Sequence, residues 1–282
     1  MAELAWSTIF HLLDQALSDR ERVENKSFSI RIANSLPDHA KNHTPKRFRP
    51  KLPHSLIGSV DSSMKNLRSH PSSLKLVLLS DTHELHRSLD VPHGDILIHA
   101  GDLSMTSRSL SAIEDFNDWL GELPHRVKIV VPGNHEFFLE RDRSRRALLS
   151  NATVLINESI EFDGLRIWGS PVTPLANSAF GVTSDEDRRR LYARIPKDTD
   201  VLITHGPAYG ILDSAPGSGL HSGCRELFDA VMRMNPKLHV FGHAHGAYGI
   251  FQTDATTFVN AALFGNNGDL DKTPFVLKIS RK

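Results

Sequence analysis

The sequence is poor in cysteine: among 282 residues only Cys224 is one. That excludes an intramolecular disulfide framework and a thiolate-built zinc site, and it predicts a reducing, cytoplasmic setting. Net charge is also absent. Lys+Arg and Asp+Glu both number 33, so no global field points to nucleic acid or to a membrane surface. No apolar run approaches the ~20 residues of a membrane span. The N-terminus lacks a basic leader, and His11 and Asp14 interrupt its apolar stretch, so no secretory signal is read there. What the chain does have is histidine, 16 in all, several of them where apolar runs end.

Trp6, Ile9, Phe10, Leu13 and Leu17 recur at helical spacing and predict a helix over 4–17 that docks on the body or on a protein partner. From about Asp19 to Ser73 the periodicity fades into Ser, Pro, Asn, His and basic residues, a composition that predicts an extended or disordered segment. Residues 1–73 therefore form one unit and 74–282 another. In the second, apolar runs at 74–79, 95–100, 127–131, 153–156, 165–168, 201–204, 238–241, 257–259 and 275–279 read as strands. Helical patterns lie between several of them, at 109–120, 185–192 and 224–234. Buried strands alternating with helices predict an α/β fold, and such folds collect ligands beyond the carboxyl ends of their strands.

Five strands end in polar punctuation. Ser80-Asp81-Thr82-His83 follows the first. In extended backbone residues two apart share a face, so Asp81 and His83 are expected to reach one ion together. Gly101-Asp102 follows the second, and one carboxylate can bridge two cations. Val131-Pro132-Gly133-Asn134-His135-Glu136 follows the third, Thr204-His205-Gly206-Pro207 a fourth and Gly242-His243-Ala244-His245 a fifth. Carboxylate, amide and imidazole together make a mixed oxygen and nitrogen donor set suited to manganese, iron or zinc. Any one of these motifs alone is more often a turn or a capped loop; five of them, each after a strand, point to one centre.

The series Asp-x-His, Gly-Asp, Gly-Asn-His-Glu, His-Gly-Pro and Gly-His-x-His resembles the calcineurin-like metallophosphoesterase superfamily over roughly residues 75–280. Trp168-Gly169-Ser170-Pro171-Val172-Thr173-Pro174, the run 200–207 and the run 236–242 look most like its metallophosphoesterase-domain-containing group. The resemblance implies a four-layer αββα sandwich of two mixed sheets. It also implies that Asp81, His83 and His245 hold one divalent cation, that Asn134, His205 and His243 hold a second, and that Asp102 bridges them. His135 would face substrate without ligating and protonate the leaving group. In many superfamily members a carboxylate three residues after the bridging Asp supports that histidine; here the position is Met105, so the expectation is that Glu136 or a backbone carbonyl orients His135, or that it works with less help.

The implied activity is hydrolysis of a small phosphodiester, plausibly a cyclic nucleotide, by hydroxide made at two metal ions, manganese first and iron or zinc as alternatives. A phosphomonoesterase and a weakly active metal-binding scaffold remain as alternatives. A Ser/Thr protein phosphatase is discounted, because its pattern continues Gly-Asp-x-x-Asp-Arg-Gly whereas Gly101-Asp102 is followed by Leu103-Ser104-Met105-Thr106-Ser107. Glu84 and Glu136 read equally as supports for the ligands or as solvated loop carboxylates. Asn260 reads as a turn cap more than as a residue facing the site, Cys224 as structural and His239 as a satisfied core or rim histidine, while His221 has no assignment.

Overall fold

The computed structural model describes residues 73–281 apart from 106–109, 215, 216, 218 and 266. The expected helix at 4–17 and the extended segment after it lie outside the described residues. In chain order the elements are β1 (Ser73–Leu79), β2 (Ile96–His99), α1 (Leu110–Glu122), β3 (Val127–Val130), α2 (Phe137–Arg141), β4 (Thr153–Val154), β5 (Glu158–Phe162), β6 (Leu165–Ser170), α3 (Asp185–Tyr192), β7 (Val201–Thr204), α4 (Arg225–Met234), β8 (Leu238–Phe241), β9 (Gly249–Gln252), β10 (Thr257–Asn260) and β11 (Phe275–Ser280). All nine expected strands are present. Two more, β5 and β9, are not legible as apolar runs, because each is an edge strand with alternating exposed residues.

The strands form two mixed sheets, one ordered β11-β1-β2-β3-β4 and the other β5-β6-β7-β8-β10-β9. Within the first, β1 to β4 are parallel and β11 closes the edge antiparallel to β1. In the second, β6, β7, β8 and β10 are parallel, flanked by antiparallel β5 and β9. Strand alternation divides the apolar side chains between layers. Leu74, Leu76, Leu78, Ile96 and Ile98 meet Ile167, Val201, Ile203 and Val240 between the sheets. Val77, Leu79 and Leu97 face the other way, onto Ile113, Phe116 and Leu120 of α1. On the opposite flank Leu202, Phe241 and Phe258 pack on Tyr192 of α3 and on Leu227 and Val231 of α4. The result is the expected αββα sandwich.

The outer helices are closed by local chemistry. Ser184 Oγ accepts from Asp187 N at 3.2 Å at the start of α3, a side-chain cap. Asn235, in left-handed backbone, ends α4, a role open to Asn because its short side chain tolerates that region. Because β1, β2 and β3 run parallel in one sheet and β7 and β8 run parallel in the other, the five polar motifs emerge at carboxyl ends. They meet along one edge of the sandwich.

Candidate metal centre

Two tight groups of side chains occupy that edge. Asp81, His83 and His245 form one, and Asp102, His205 and His243 the other; within each, the facing donor atoms all lie within 4.8 Å. His245 Nε2 is 3.1 Å from Asp81 Oδ1 and 3.4 Å from His83 Nε2. In the second group Asn134 Oδ1 sits 2.8 Å from both His205 Nε2 and His243 Nδ1. Asp102 Oδ2 is 3.3 Å from His205 Nε2 and 3.9 Å from His83 Nε2. One carboxylate oxygen therefore faces a histidine of each group.

The ring nitrogens on the far side fix what the near side offers. His205 Nδ1 donates to the Ala100 carbonyl at 3.0 Å and His83 Nδ1 to the Ser104 carbonyl at 3.1 Å. A neutral imidazole that donates from one nitrogen presents a lone pair at the other. Lone-pair atoms thus converge on carboxylate and amide oxygens, a set that repels itself unless a proton or a cation stands among them. The donor set fits divalent cations of borderline character.

Charge in this cluster is strongly perturbed. Burial opposes ionisation of Asp81, yet its hydrogen bond and charge interaction with His245 hold the carboxyl below its ordinary range. Burial lowers His83 and takes His243 down to about 4, with His205 adding repulsion in the latter case. Burial works in the same sense on His205, but the Asp102 carboxylate outweighs it and raises this imidazole to about 9.

The local backbone differs from the sequence expectation. Asp81, His83, Asp102 and His243 all have positive φ, between 43° and 66°, so Asp81 and His83 do not share a face of an extended strand. They converge because the turn after β1 doubles back through left-handed backbone, stitched to the turn after β2 by Asp81 N–Gly101 O (2.8 Å) and His83 N–Asp102 O (3.1 Å). His243 and His245 fall in different groups despite their spacing; the left-handed His243 sends the two side chains apart. Two glycines clear the space. A Cβ on Gly133 would collide with Asp102 Oδ1, and one on Gly242 with Asp81 Oδ2.

His135 stands beside the centre and belongs to neither group. Its Nε2 is 3.8 Å from Asp102 Oδ2 and its ring packs edge-on against His83 at 5.0 Å. Its Nδ1 donates to the carbonyl of Met105, so a backbone carbonyl takes the place of the carboxylate that the resemblance led one to expect. Glu84 in turn accepts from Met105 N at 3.1 Å.

Glu136 has a different task. Fully buried, it accepts from Asp102 N (2.9 Å), Gly133 N (2.6 Å), Ser104 N (3.2 Å) and Ser104 Oγ (2.9 Å). It ties the Asp102 loop to the Asn134 loop. Burial and the neighbouring Asp102 charge raise its carboxyl to about 7, against the pull of the Gly133 N–H.

With the geometry in place, the family model for calcineurin-like phosphoesterases matches residues 74–247. The chain belongs to the calcineurin-like phosphoesterase family. It is 35% identical over 224 residues to a UPF0046 protein of Caenorhabditis elegans, covering 74% of this chain and 76% of that one. It is 33% identical over 259 residues to metallophosphoesterase domain-containing protein 1 of Homo sapiens, covering 83% of this chain and 78% of the relative. These relatives place it with the metallophosphoesterase-domain-containing group. The crystal structure of TT1561 from Thermus thermophilus shares the fold, with a TM-score of 0.50 at 14% identity over 73% of this chain and 98% of that one. Membership makes the protein a metallophosphoesterase by family, with two groups of candidate ligands.

Some members of this calcineurin-like site carry no signal in sequence. Thr82 Oγ1 meets His99 Nε2 at 3.0 Å, and Thr204 Oγ1 meets His239 Nε2 at 2.8 Å. Each pair braces a ligand-bearing turn against the neighbouring strand. A histidine inside an apolar strand is the only available hint. Asn260 is more than a turn cap: its Nδ2 donates to Leu212 O (3.0 Å) and to Ala244 O (2.9 Å), between the two histidines of the last motif. His221 is held by buried Asp213, Nδ1 to Oδ1 2.8 Å. Among the described residues no helix is long and apolar enough to cross a membrane.

Proposed function

We propose that the protein hydrolyses a small phosphodiester, a cyclic nucleotide being the favoured class, with the aid of two divalent cations. Asp81, His83 and His245 would hold one cation, and Asn134, His205 and His243 the other. The observation that carries the reading is the position of Asp102 Oδ2, which faces His83 and His205 at once and so is suited to bridge. Manganese fits the mixed donor set, as do iron and zinc. Two such cations, when bound, neutralise charge on the phosphoryl oxygens and make hydroxide available near neutral pH.

The protein's own residues supply the rest. Glu136 fixes the backbone of Asp102 and Gly133, which keeps the bridging carboxylate aimed. His135, its Nδ1 anchored on Met105 O, is partly exposed and holds Nε2 3.8 Å from Asp102 Oδ2. From there a protonated imidazole can donate to the departing alkoxide. That step matters most for an alkyl ester, whose leaving group is poor without a proton.

The test uses the full chain, stripped with chelator and reloaded with manganese. Turnover of a cyclic nucleotide, an aryl phosphodiester and an aryl phosphomonoester is compared, and metal content is measured on the same sample. The expectation is two cations per chain and preference for the diesters. A sample holding two cations that turns over none of the three is a metal-binding scaffold, and the catalytic reading is then wrong. Preference for the monoester replaces the diester assignment.

A further inference from the structure

The histidines of the centre are not all oriented in the same way. His83, His135 and His205 each give one ring nitrogen to a backbone carbonyl. Among the described residues no carbonyl receives the remaining nitrogen of His245, whose Nε2 already faces Asp81 and His83. What His245 has is a wall. Its ring lies 5.4 Å from that of Phe264, at an interplanar angle of 60°. The same phenyl ring stands 4.7 Å from His83, at 69°. One aromatic residue therefore touches, edge to face, both imidazoles of the Asp81 group.

The backbone around Phe264 is tied to both turns that carry those imidazoles. After β10, the chain runs beside Ser80, the residue before Asp81: Ser80 and Ala262 form a parallel bridge, and Leu263 N donates to Ser80 O at 3.0 Å. Asn260 Oδ1 accepts from Ala262 N at 3.1 Å while its Nδ2 holds Ala244 O. Beyond, Phe264 bridges Leu270, and its carbonyl accepts from Lys272 Nζ at 2.8 Å. The backbone that carries the phenyl ring is thus tied to the turns that carry His83 and His245.

We propose that Phe264 is a positioning residue for the cation held by Asp81, His83 and His245. Edge-to-face contact between flat rings has a preferred geometry, so it can set a ring's rotation where no hydrogen bond does. It also covers that side of the group with apolar surface, which strengthens the field of the ligands and limits water access. The second group, Asn134, His205 and His243, is oriented instead by Ala100 O and by the His205–His243 packing at 5.1 Å. The inference rests on the two-cation reading above and predicts a defect confined to one of the two positions.

The experiment is manganese binding to the full chain by equilibrium dialysis, with electron paramagnetic resonance on the same samples. Wild type should bind two ions and show a spin-coupled pair. Phe264→Ala should bind one ion at wild-type affinity and the other about 10–100-fold more weakly, the loss typical of removing a ligand's support. Its spectrum at limiting manganese should be that of an isolated ion. Phe264→Tyr, which keeps the flat ring, should restore the coupled pair. Phe264→Leu, which keeps bulk without a ring face, should not; it also serves if the alanine variant fails to fold. Circular dichroism of the metal-free variants checks the fold. Two ions at wild-type affinity in both the alanine and leucine variants overturn the proposal, and so does equal weakening of both positions. A wild-type chain binding fewer than two ions instead removes the two-cation reading, a separate failure.

Discussion

Glu136 accepts the backbone N–H of Asp102 at 2.9 Å and that of Gly133 at 2.6 Å, so one buried side chain clamps the loops that follow two neighbouring strands, β2 and β3. Removing it strands several buried donors, and each unsatisfied one costs about 1–3 kcal/mol. Glu136→Ala is expected to lower stability by roughly 3 kcal/mol or more, measured by urea unfolding in chelator. Glu136→Gln, which keeps one acceptor oxygen, should fall between the two. In either variant cation affinity should drop about 10–100-fold.

Asp102 stands between the two groups, its Oδ2 facing a histidine of each. Asp102→Asn should therefore reduce occupancy at both positions together, read as metal per chain after gel filtration. Asp81→Asn should empty its own position first. Retention of two tightly held ions in Asp102→Asn contradicts the bridging assignment.

His135 belongs to neither ligand group, so His135→Ala should leave two cations bound while kcat falls about 10²–10⁴-fold, the range for loss of a general acid. The loss should be smaller for an aryl ester, whose leaving group needs no proton, than for an alkyl ester. Because the support of His135 is the Met105 main chain, Met105→Ala should change kcat little. An equal loss on both esters would mean that His135 does something other than donate a proton.

Two histidines of the brace pairs respond to acid. Burial lowers His239 and His99 to about 3, while an unfolded histidine titrates near 6.5. Above pH 6.5 neither state binds the proton, and the full stability is present. Below it the unfolded chain takes up the proton and the folded chain does not, so stability falls as pH drops from 6.5 towards 3. The slope is about 1.4 kcal/mol per pH unit for each histidine. His239→Gln should remove one proton's worth of that slope between pH 6.5 and 5, measured by urea unfolding across the range.

Much of this is legible in the sequence because the site's residues are strand-end residues, and apolar runs such as 74–79 and 201–204 mark strand ends well. The strand ends nominate Asp81, His83, Asp102, Asn134, His135, His205, His243 and His245 alike; only the resemblance sets His135 apart, divides six of the others between two cations and makes Asp102 the bridge. Spacing alone misjudges the turns. Asp81 with His83, and His243 with His245, lie two apart in sequence as if in extended backbone, whereas left-handed residues set their directions. Such backbone is held by bonds from distant segments, Gly101 O to Asp81 N for example, and no local pattern encodes it. Glu136 is ambiguous for the same reason, since apart from Gly133 its partners lie 32 and 34 positions away. Phe264 gives no signal at all; an aromatic after an apolar strand looks like core.

The seven residues that ring the centre stretch from position 81 to 245 and are drawn from both sheets. No continuous segment holds more than two of them, so the unfolded chain has little to offer a cation. The contacts that build the centre are long-range and must form after both sheets have docked, which places cation capture late on the folding path. Bound metal should then slow unfolding and leave the rate of folding nearly unchanged. In a chevron plot the manganese-loaded protein would keep the folding limb of the chelated one and lower only the unfolding limb, so its lifetime would be set by metal supply even where its rate of assembly is not.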